Sequence, residues 1–103
     1  MLIVRKEMKS LKLMADYYCH PLWHVSSDEV GDINPSELPL SSTLQAELSN
    51  WARAYDETLN MDTPQDSGFP SEALEESFKA EGRRLAQCLR QELGVEYRII
   101  EQV

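Results

Sequence analysis

Two stretches of apolar residues at helical spacing constrain the fold of this chain more than any other feature. In each stretch the apolar side chains recur at steps of three and four, which places them on one side of a helix. The first stripe consists of Leu44, Leu48, Trp51, Ala52, Tyr55 and Leu59. The second consists of Leu74, Phe78, Leu85, Leu89 and Leu93, with Cys88 beside it. Neither amphipathic helix is stable alone in water, so both stripes must be buried elsewhere in the fold.

The first helix is predicted over about residues 42–60. Ser42 is the predicted N-cap, and Gln45 at the third helical position completes a capping box. The helix should stop at the end of this range, because Pro64 and Gly68 lie just beyond it.

The second helix is predicted over about residues 71–93. Ser71 is its expected N-cap, and Gly94 suits the left-handed conformation that commonly ends a helix. Gly82 lies inside this helix, where glycine costs about 1 kcal/mol relative to alanine. We therefore expect the two helices to approach closely at Gly82, beside Trp51.

The two ends of the chain are predicted to form strands. Residues of about 11–18 alternate between apolar and polar types, and about 95–102 are rich in β-branched and aromatic residues. The stretch between Pro21 and the first helix is expected to be loop. Pairing the two strands and packing both helices on this small sheet gives an α+β fold. We predict a single domain over residues 11–103, preceded by a peripheral basic extension at 1–10.

The charge of the chain is strongly negative and unevenly distributed. The formal net charge is −8 over 103 residues, and residues 14–82 hold fourteen acidic residues against only Arg53 and Lys79. This balance opposes nucleic-acid binding, which requires a basic surface. No apolar run reaches the length of a membrane span. The first residues also lack the continuous apolar segment of a signal peptide, so we expect a cytoplasmic protein with reduced cysteines.

One short cluster, Cys19, His20 and His24, contains residue types that bind metals. A structural zinc site normally requires two such pairs, and the only other thiol is Cys88. A Cys–His catalytic pair is also disfavoured, because adjacent strand residues point to opposite faces. We therefore predict no metal, no cofactor and no catalytic residue.

A second polar cluster lies between the two predicted helices. The spacing of Asp56, Asn60, Asp62 and Asp66 does not match a calcium-binding loop. Short Asp and Asn side chains readily accept hydrogen bonds from nearby backbone amides. We expect Asp56 and Asn60 to fix the turn between the helices in this way.

Several sequence segments resemble a widespread family of short acidic bacterial proteins. They are residues 14–23 (MADYYCHPLW), 38–41 (LPLS), Trp51, 55–60 (YDETLN), 66–69 (DSGF), 78–82 (FKAEG) and 85–86 (LA). The resemblance extends over residues 11–94. Some proteins of this kind are immunity partners of contact-dependent inhibition or polymorphic toxin systems. The resemblance implies no catalytic residues, and the basic segment before Lys9 lies outside the family pattern.

Together, the charge and the resemblance predict a cytosolic immunity protein that binds and occludes a basic, nuclease-type toxin domain, with no nucleic acid or membrane as partner. The predicted partner-binding residues are Asp28, Glu29, Asp32, Glu37, Glu47, Asp56, Asp62, Asp66 and Trp23. An alternative is a structural or regulatory adaptor, or a homodimer, that uses apolar surface at Leu22, Trp23 and Val25. A small enzyme using Cys19 or His24 is a third hypothesis.

Overall fold

One mixed sheet and two helices make up the part of the chain that the computed structural model describes, residues 9–25 and 29–103. The strands are β1 (Lys9–Leu13), β2 (Leu22–His24), β3 (Asp32–Ile33) and β4 (Tyr97–Glu101), and the helices are α1 (Ser42–Asp56) and α2 (Glu72–Leu93). Short 3-10 turns occur at Pro35–Glu37, Pro64–Asp66 and Gly94–Glu96. Most of the predicted extension, residues 1–8, lies outside the described residues. Within the described ranges, no helix is long and apolar enough to cross a membrane.

The strands are arranged in the order β3-β2-β1-β4. β1 and β4 pair in parallel, with Leu11 opposite Ile99, whereas β2 pairs antiparallel to β1, with Leu13 opposite Leu22. β3 continues the sheet, with Ile33 opposite Leu22. The predicted pairing of the two terminal strands is therefore confirmed. Parallel pairing is possible because β2, β3 and both helices lie between these strands along the chain, which provides the long connection that a parallel pair requires.

The core lies between one face of the sheet and the two helices. On the sheet side it contains Leu11, Leu13, Leu22, Ile33 and Ile99. On the helix side it contains Leu44, Leu48, Trp51, Leu85, Ala86, Leu89 and Leu93. Because residues on paired strands share a face when they are in register, these five strand residues form one apolar surface. The predicted α+β class, with two helices packed on a small sheet, is confirmed.

The predicted strand bounds are wrong at several ends. The strand predicted over 11–18 ends at Leu13, because the next position pairs with Pro21, which has no N–H to donate, and the chain then turns at Tyr18, whose φ is 58°. The strand predicted over 95–102 begins only at Tyr97, after a 3-10 turn.

β2 and β3 lie in the stretch that was predicted to be loop. They contain only three and two residues, respectively. An alternating pattern cannot be recognised over so few positions, so local sequence carries no strand signal there. These strands form because β1 provides an edge on which to pair.

The N-cap of α1 is Ser41, not the predicted Ser42. Its hydroxyl oxygen accepts a hydrogen bond from Leu44 N at 3.1 Å. The side chain of Gln45 donates instead to Leu40 O at 2.9 Å, so the predicted capping box does not form.

α1 also ends earlier than predicted, at Asp56 rather than near Asn60. The hydroxyl of Thr58 donates to Tyr55 O at 2.7 Å and lies 2.9 Å from the hydroxyl of Tyr17. These side-chain bonds compete with continued helix formation.

The predicted ends of α2 are close to those observed. The hydroxyl of Ser71 accepts from Leu74 N at 3.2 Å, and Gly94 ends the helix with a φ of 74°. The close approach at Gly82 is also confirmed, because a Cβ atom there would lie 2.8 Å from Cζ2 of Trp51.

Candidate functional site

The two helices run in opposite directions, and α2 is the longer. Glu47 on α1 bonds to Arg84, whereas Trp51, one turn later, stacks on Phe78, which lies earlier on α2. α1 ends at Asp56, five residues after Trp51, and α2 begins at Glu72, six residues before Phe78, so the first turn of α2 lies beside the end of α1. Leu74 lies in this first turn and is 51% exposed. Its predicted place in the core is therefore wrong.

Aromatic rings fill the space between the second half of α1 and the first half of α2. Trp51 and Phe78 stack with ring centroids 4.5 Å apart, and Phe69 lies 5.0 Å from Phe78. Tyr55 lies 5.7 Å from Phe78 and 4.6 Å from Tyr17. The indole N–H of Trp51 donates to Phe78 O at 2.9 Å, which fixes the orientation of the stacked pair. The result is a continuous aromatic cluster that only partly excludes solvent.

Beside this cluster is an open pocket of about 580 Å³ between α1, α2 and the segment that joins them. Its apolar lining consists of Trp51, Ala54, Phe69, Pro70, Leu74 and Phe78. Its remaining lining consists of Glu47, Glu57 and Glu81, with Asn50, Thr58, Gly68 and Ser77. We call this pocket, defined by these thirteen residues, the acidic groove.

The sequence around the acidic groove carries a large excess of negative charge. Residues 54–82 contain eight acidic residues and one lysine, Lys79. That lysine already pairs with Glu75 at 3.6 Å. Glu72 and Glu76 in the first turns of α2 are exposed. The open end of the helix pair is therefore both apolar and acidic.

Arg84 organises one rim of the acidic groove. Its guanidinium donates to Glu81 at 2.6 and 2.8 Å, and it also bonds to Glu47. The hydrogen bond from Arg84 lowers the pKa of Glu81, against the opposing effect of partial burial. The same two carboxylates raise the pKa of Arg84. Glu57, which follows the last residue of α1, also lines the groove, and its carboxylate makes no hydrogen bond or ion pair with any described residue.

The segment between the helices is held by Asn60 but not by Asp56. Oδ1 of Asn60 accepts from Asp62 N and Thr63 N, both at 3.0 Å, so its predicted role in the turn is confirmed. Asp56 accepts instead from Tyr18 N at 2.8 Å. The prediction that Asp56 fixes the turn between the helices is wrong, because its carboxylate ties α1 to the segment after β1.

Tyr18 forms a second exposed feature near the end of α1. Its side chain is 71% exposed, and its hydroxyl lies 3.7 Å from Sδ of Met61, which is 73% exposed. A positive φ is unusual for tyrosine, and the hydrogen bond that Tyr18 N donates to the carboxylate of Asp56 stabilises that backbone conformation.

Two of the predicted partner-binding acids at the sheet end already have bonds within the fold. Glu29 lies 3.6 Å from Nζ of Lys9 and 3.4 Å from Nδ1 of His24. Asp32 accepts from His20 N at 2.6 Å. These acids are exposed, but their carboxylates also hold β2, β3 and the adjoining segments together.

Trp23 lies on the sheet face opposite the core and is half-buried. Its indole N–H donates to Met14 O at 2.9 Å. Leu22, which the adaptor hypothesis counts as surface, is completely buried, whereas Val25 is exposed. The apolar surface of that hypothesis is therefore smaller than predicted, because Leu22 belongs to the core.

The other predicted acids do not form a single surface patch. Glu47 lines the acidic groove, and Asp62 and Asp66 are exposed in the segment between the helices. Glu37 is exposed in the turn before α1, and Asp28 lies outside the described residues.

Sequence reasoning missed most of the groove. Of its thirteen lining residues, only Glu47 is among the predicted partner-binding residues, and the missed ones include Ala54, Glu57, Phe69, Leu74 and Glu81. The predicted helix bounds gave no signal for the groove, because a first helix that reached residue 60 would have covered Leu74.

The cysteine and histidine residues show no arrangement suited to chemistry in the described ranges. No group of three or more His, Cys, Asp or Glu residues there is placed to hold a metal ion. Burial, followed by the nearby carboxylates of Asp16, Asp32 and Asp56, raises the pKa of the Cys19 thiol. A raised pKa disfavours the thiolate that a cysteine nucleophile requires.

The match to a known family extends over nearly the whole of this fold. Residues 9–101 match the family model described as Serratia CdiI immunity protein-like. The matched range runs from the first residue of β1 to the last residue of β4 and so contains the acidic groove. No curated protein matches the chain.

Proposed function

Because the chain belongs to the Serratia CdiI immunity protein-like family, it is an immunity protein of contact-dependent inhibition systems, and we propose that it neutralises its cognate toxin by occlusion. The toxin domain that we propose is basic and of the nuclease type. We also propose that the two proteins meet in the cytoplasm, where a nuclease finds its nucleic-acid substrate.

The observation that carries this proposal is the acidic charge gathered around an open apolar groove. A nuclease binds a polyanion and therefore needs a basic cleft. Eight acidic residues and one lysine in residues 54–82 give this protein the opposite charge. Opposite charges accelerate encounter and disfavour the wrong partners.

Occlusion requires no chemistry on the immunity protein. The acids would compete with the phosphate backbone for the basic cleft, while the bulk of the protein covers it. The affinity would come from the centre of the contact, where water is excluded, rather than from the exposed rim.

The proposal is tested with the purified toxin domain of the cognate contact-dependent inhibition system. Its association with the immunity protein is followed by stopped-flow fluorescence at low and at physiological ionic strength. We expect the association rate constant to fall about tenfold or more as the Debye length shortens to about 8 Å. The dissociation rate constant should change less, because it reports the desolvated centre.

A parallel assay measures cleavage of DNA and RNA by the toxin domain, with and without the immunity protein. Inhibition that follows the bound fraction supports occlusion. An association rate independent of salt would contradict the electrostatic mechanism, and a toxin domain without nuclease activity would contradict the proposed class of toxin. Failure of the two proteins to bind would overturn the proposal as a whole.

A further inference from the structure

We propose that the acidic groove is the docking site for the toxin domain, and that it receives an apolar side chain flanked by lysine or arginine residues. This inference rests on the proposed function, since it assigns a surface to the same interaction. The occupant is therefore defined by chemistry, as an apolar anchor within a basic segment of the partner.

We infer an apolar anchor on the partner because the fold leaves apolar side chains of the acidic groove exposed to solvent. Leu74 is half exposed, although it continues the stripe that is buried further along α2. Ala54 on the facing helix is exposed, and Phe69 and Phe78 are only partly buried. A pocket of about 580 Å³ with these walls lies within the range of about 300–1,000 Å³ that natural binding pockets occupy. Partner side chains that fill such pockets dominate binding energies in interfaces.

We infer lysine or arginine residues beside that anchor because glutamates line the acidic groove. Glu47 and Glu81 share Arg84, so that rim is partly neutralised within the fold. The carboxylate of Glu57, which also lines the groove, makes no hydrogen bond or ion pair with any described residue. An incoming cation therefore meets an unneutralised carboxylate at Glu57, beside the apolar walls. Neither an acidic nor a wholly apolar segment would match both features.

The groove is already formed without a partner. The indole of Trp51 is fixed by its bond to Phe78 O, at 2.9 Å. The segment between the helices is closed by Gly68 N donating to Thr58 O, at 3.0 Å. A pre-formed pocket loses little conformational entropy on binding, which favours tight association.

The test fills the groove with a bulky side chain from an exposed position. Ala54→Trp introduces an indole where Ala54 lines the groove. The matched control is Ala46→Trp, since Ala46 is also exposed on α1 but does not line the groove. We expect Ala54→Trp to raise the Kd for the purified toxin domain by at least about tenfold, as loss of a central anchor does. Ala46→Trp should bind as the wild type does, and both variants should keep the wild-type circular dichroism spectrum and melting temperature.

A second pair of variants separates the contribution of the apolar wall from that of the negative charge. Leu74→Ala should raise the dissociation rate constant, because it removes part of the desolvated wall. Glu57→Lys should lower the association rate constant, because it reverses a rim charge. Glu37→Lys, which reverses an exposed acid outside the groove, is the control for Glu57→Lys.

The possible outcomes separate this inference from the function on which it rests. Wild-type affinity of folded Ala54→Trp would overturn the groove as the docking site and leave occlusion of the toxin standing. Equal losses in Ala54→Trp and Ala46→Trp would also overturn it. A dimer that dissociates in Ala54→Trp would show that a second copy of the chain occupies the groove. Absence of binding by the wild type would overturn the proposed function itself.

Discussion

The two ends of the helix pair carry the same apolar periodicity but are buried to very different extents. Where the sheet covers the pair, Leu48, Leu85 and Leu89 are completely buried. Beyond the sheet, Phe78 is only partly buried and Leu74 is half exposed. Periodicity therefore determines which face of a helix is apolar, and the neighbouring elements determine how much of that face is covered.

The two ends also differ in their charge. Buried charged side chains are absent from the described residues, whereas Glu47, Glu57 and Glu81 line the acidic groove. We infer that the covered end supplies stability and that the open end is available for binding. We test this assignment by making comparable substitutions in the covered end and in the open end.

The largest expected loss of stability follows substitution of a buried residue in the end of the helix pair that the sheet covers. Leu85→Ala should lower the free energy of unfolding by about 2–5 kcal/mol, because it leaves a cavity in a fully buried position. The same substitution at Leu74, on the same helix, should change it by no more than about 0.5 kcal/mol. Urea denaturation of the two variants measures the contrast. Similar losses would mean that Leu74 is buried in solution and that the groove is closed.

An intermediate loss of stability is expected for Asp56, but not for Asp62, when each of these two acidic residues is replaced by alanine. Asp56→Ala should destabilise the fold by about 1–2 kcal/mol, because it removes the carboxylate that accepts from Tyr18 N. Asp62→Ala should remain within about 0.5 kcal/mol of the wild type, since Asp62 is exposed. Thermal and urea unfolding report both values. An Asp62→Ala variant as unstable as Asp56→Ala would contradict this assignment.

The smallest expected effect is the pH dependence of the Glu81–Arg84 pair. The hydrogen bond from Arg84 lowers the pKa of Glu81, so its contribution to stability is present above the ordinary glutamate pKa of 4.5 and is lost as the pH falls through the folded-state pKa. Glu81→Gln should therefore be slightly less stable than the wild type at pH 7 and equal to it in acid. The difference is small because both side chains are largely exposed and water screens the pair.

Glu76→Gln is the control for this comparison. Glu76 is exposed on the same helix, and its carboxylate makes no hydrogen bond or ion pair with Arg84 or any other described residue. A difference between Glu81→Gln and the wild type that persists in acid would show that the ion pair is not its cause.

Features set by local chemistry were predictable from the sequence. The spacing of the leucines identifies both helices, and Ser71 and Gly94 mark the ends of α2. Gly82 also indicates the close approach to Trp51, because a mid-helix glycine needs a compensating contact.

Features that depend on distant partners were not predictable. β2 and β3 are too short to show an alternating pattern, and they form because β1 offers them an edge. Asp56 bonds to Tyr18, which lies 38 residues earlier in the chain. The acidic groove is lined by both helices and by the segment that joins them, so it becomes apparent only when the packing of these three elements is known.

Hydrogen–deuterium exchange of the immunity protein, free and bound to its toxin domain, tests most directly whether the open end is the binding surface. Peptides that cover residues 54–59 and 68–78 contain both walls of the acidic groove. We predict that toxin binding slows exchange in these peptides and leaves residues 29–40, at the sheet end, unchanged. Protection confined to residues 29–40, with unchanged exchange around the groove, would contradict the division of the molecule into a covered core and an open binding end.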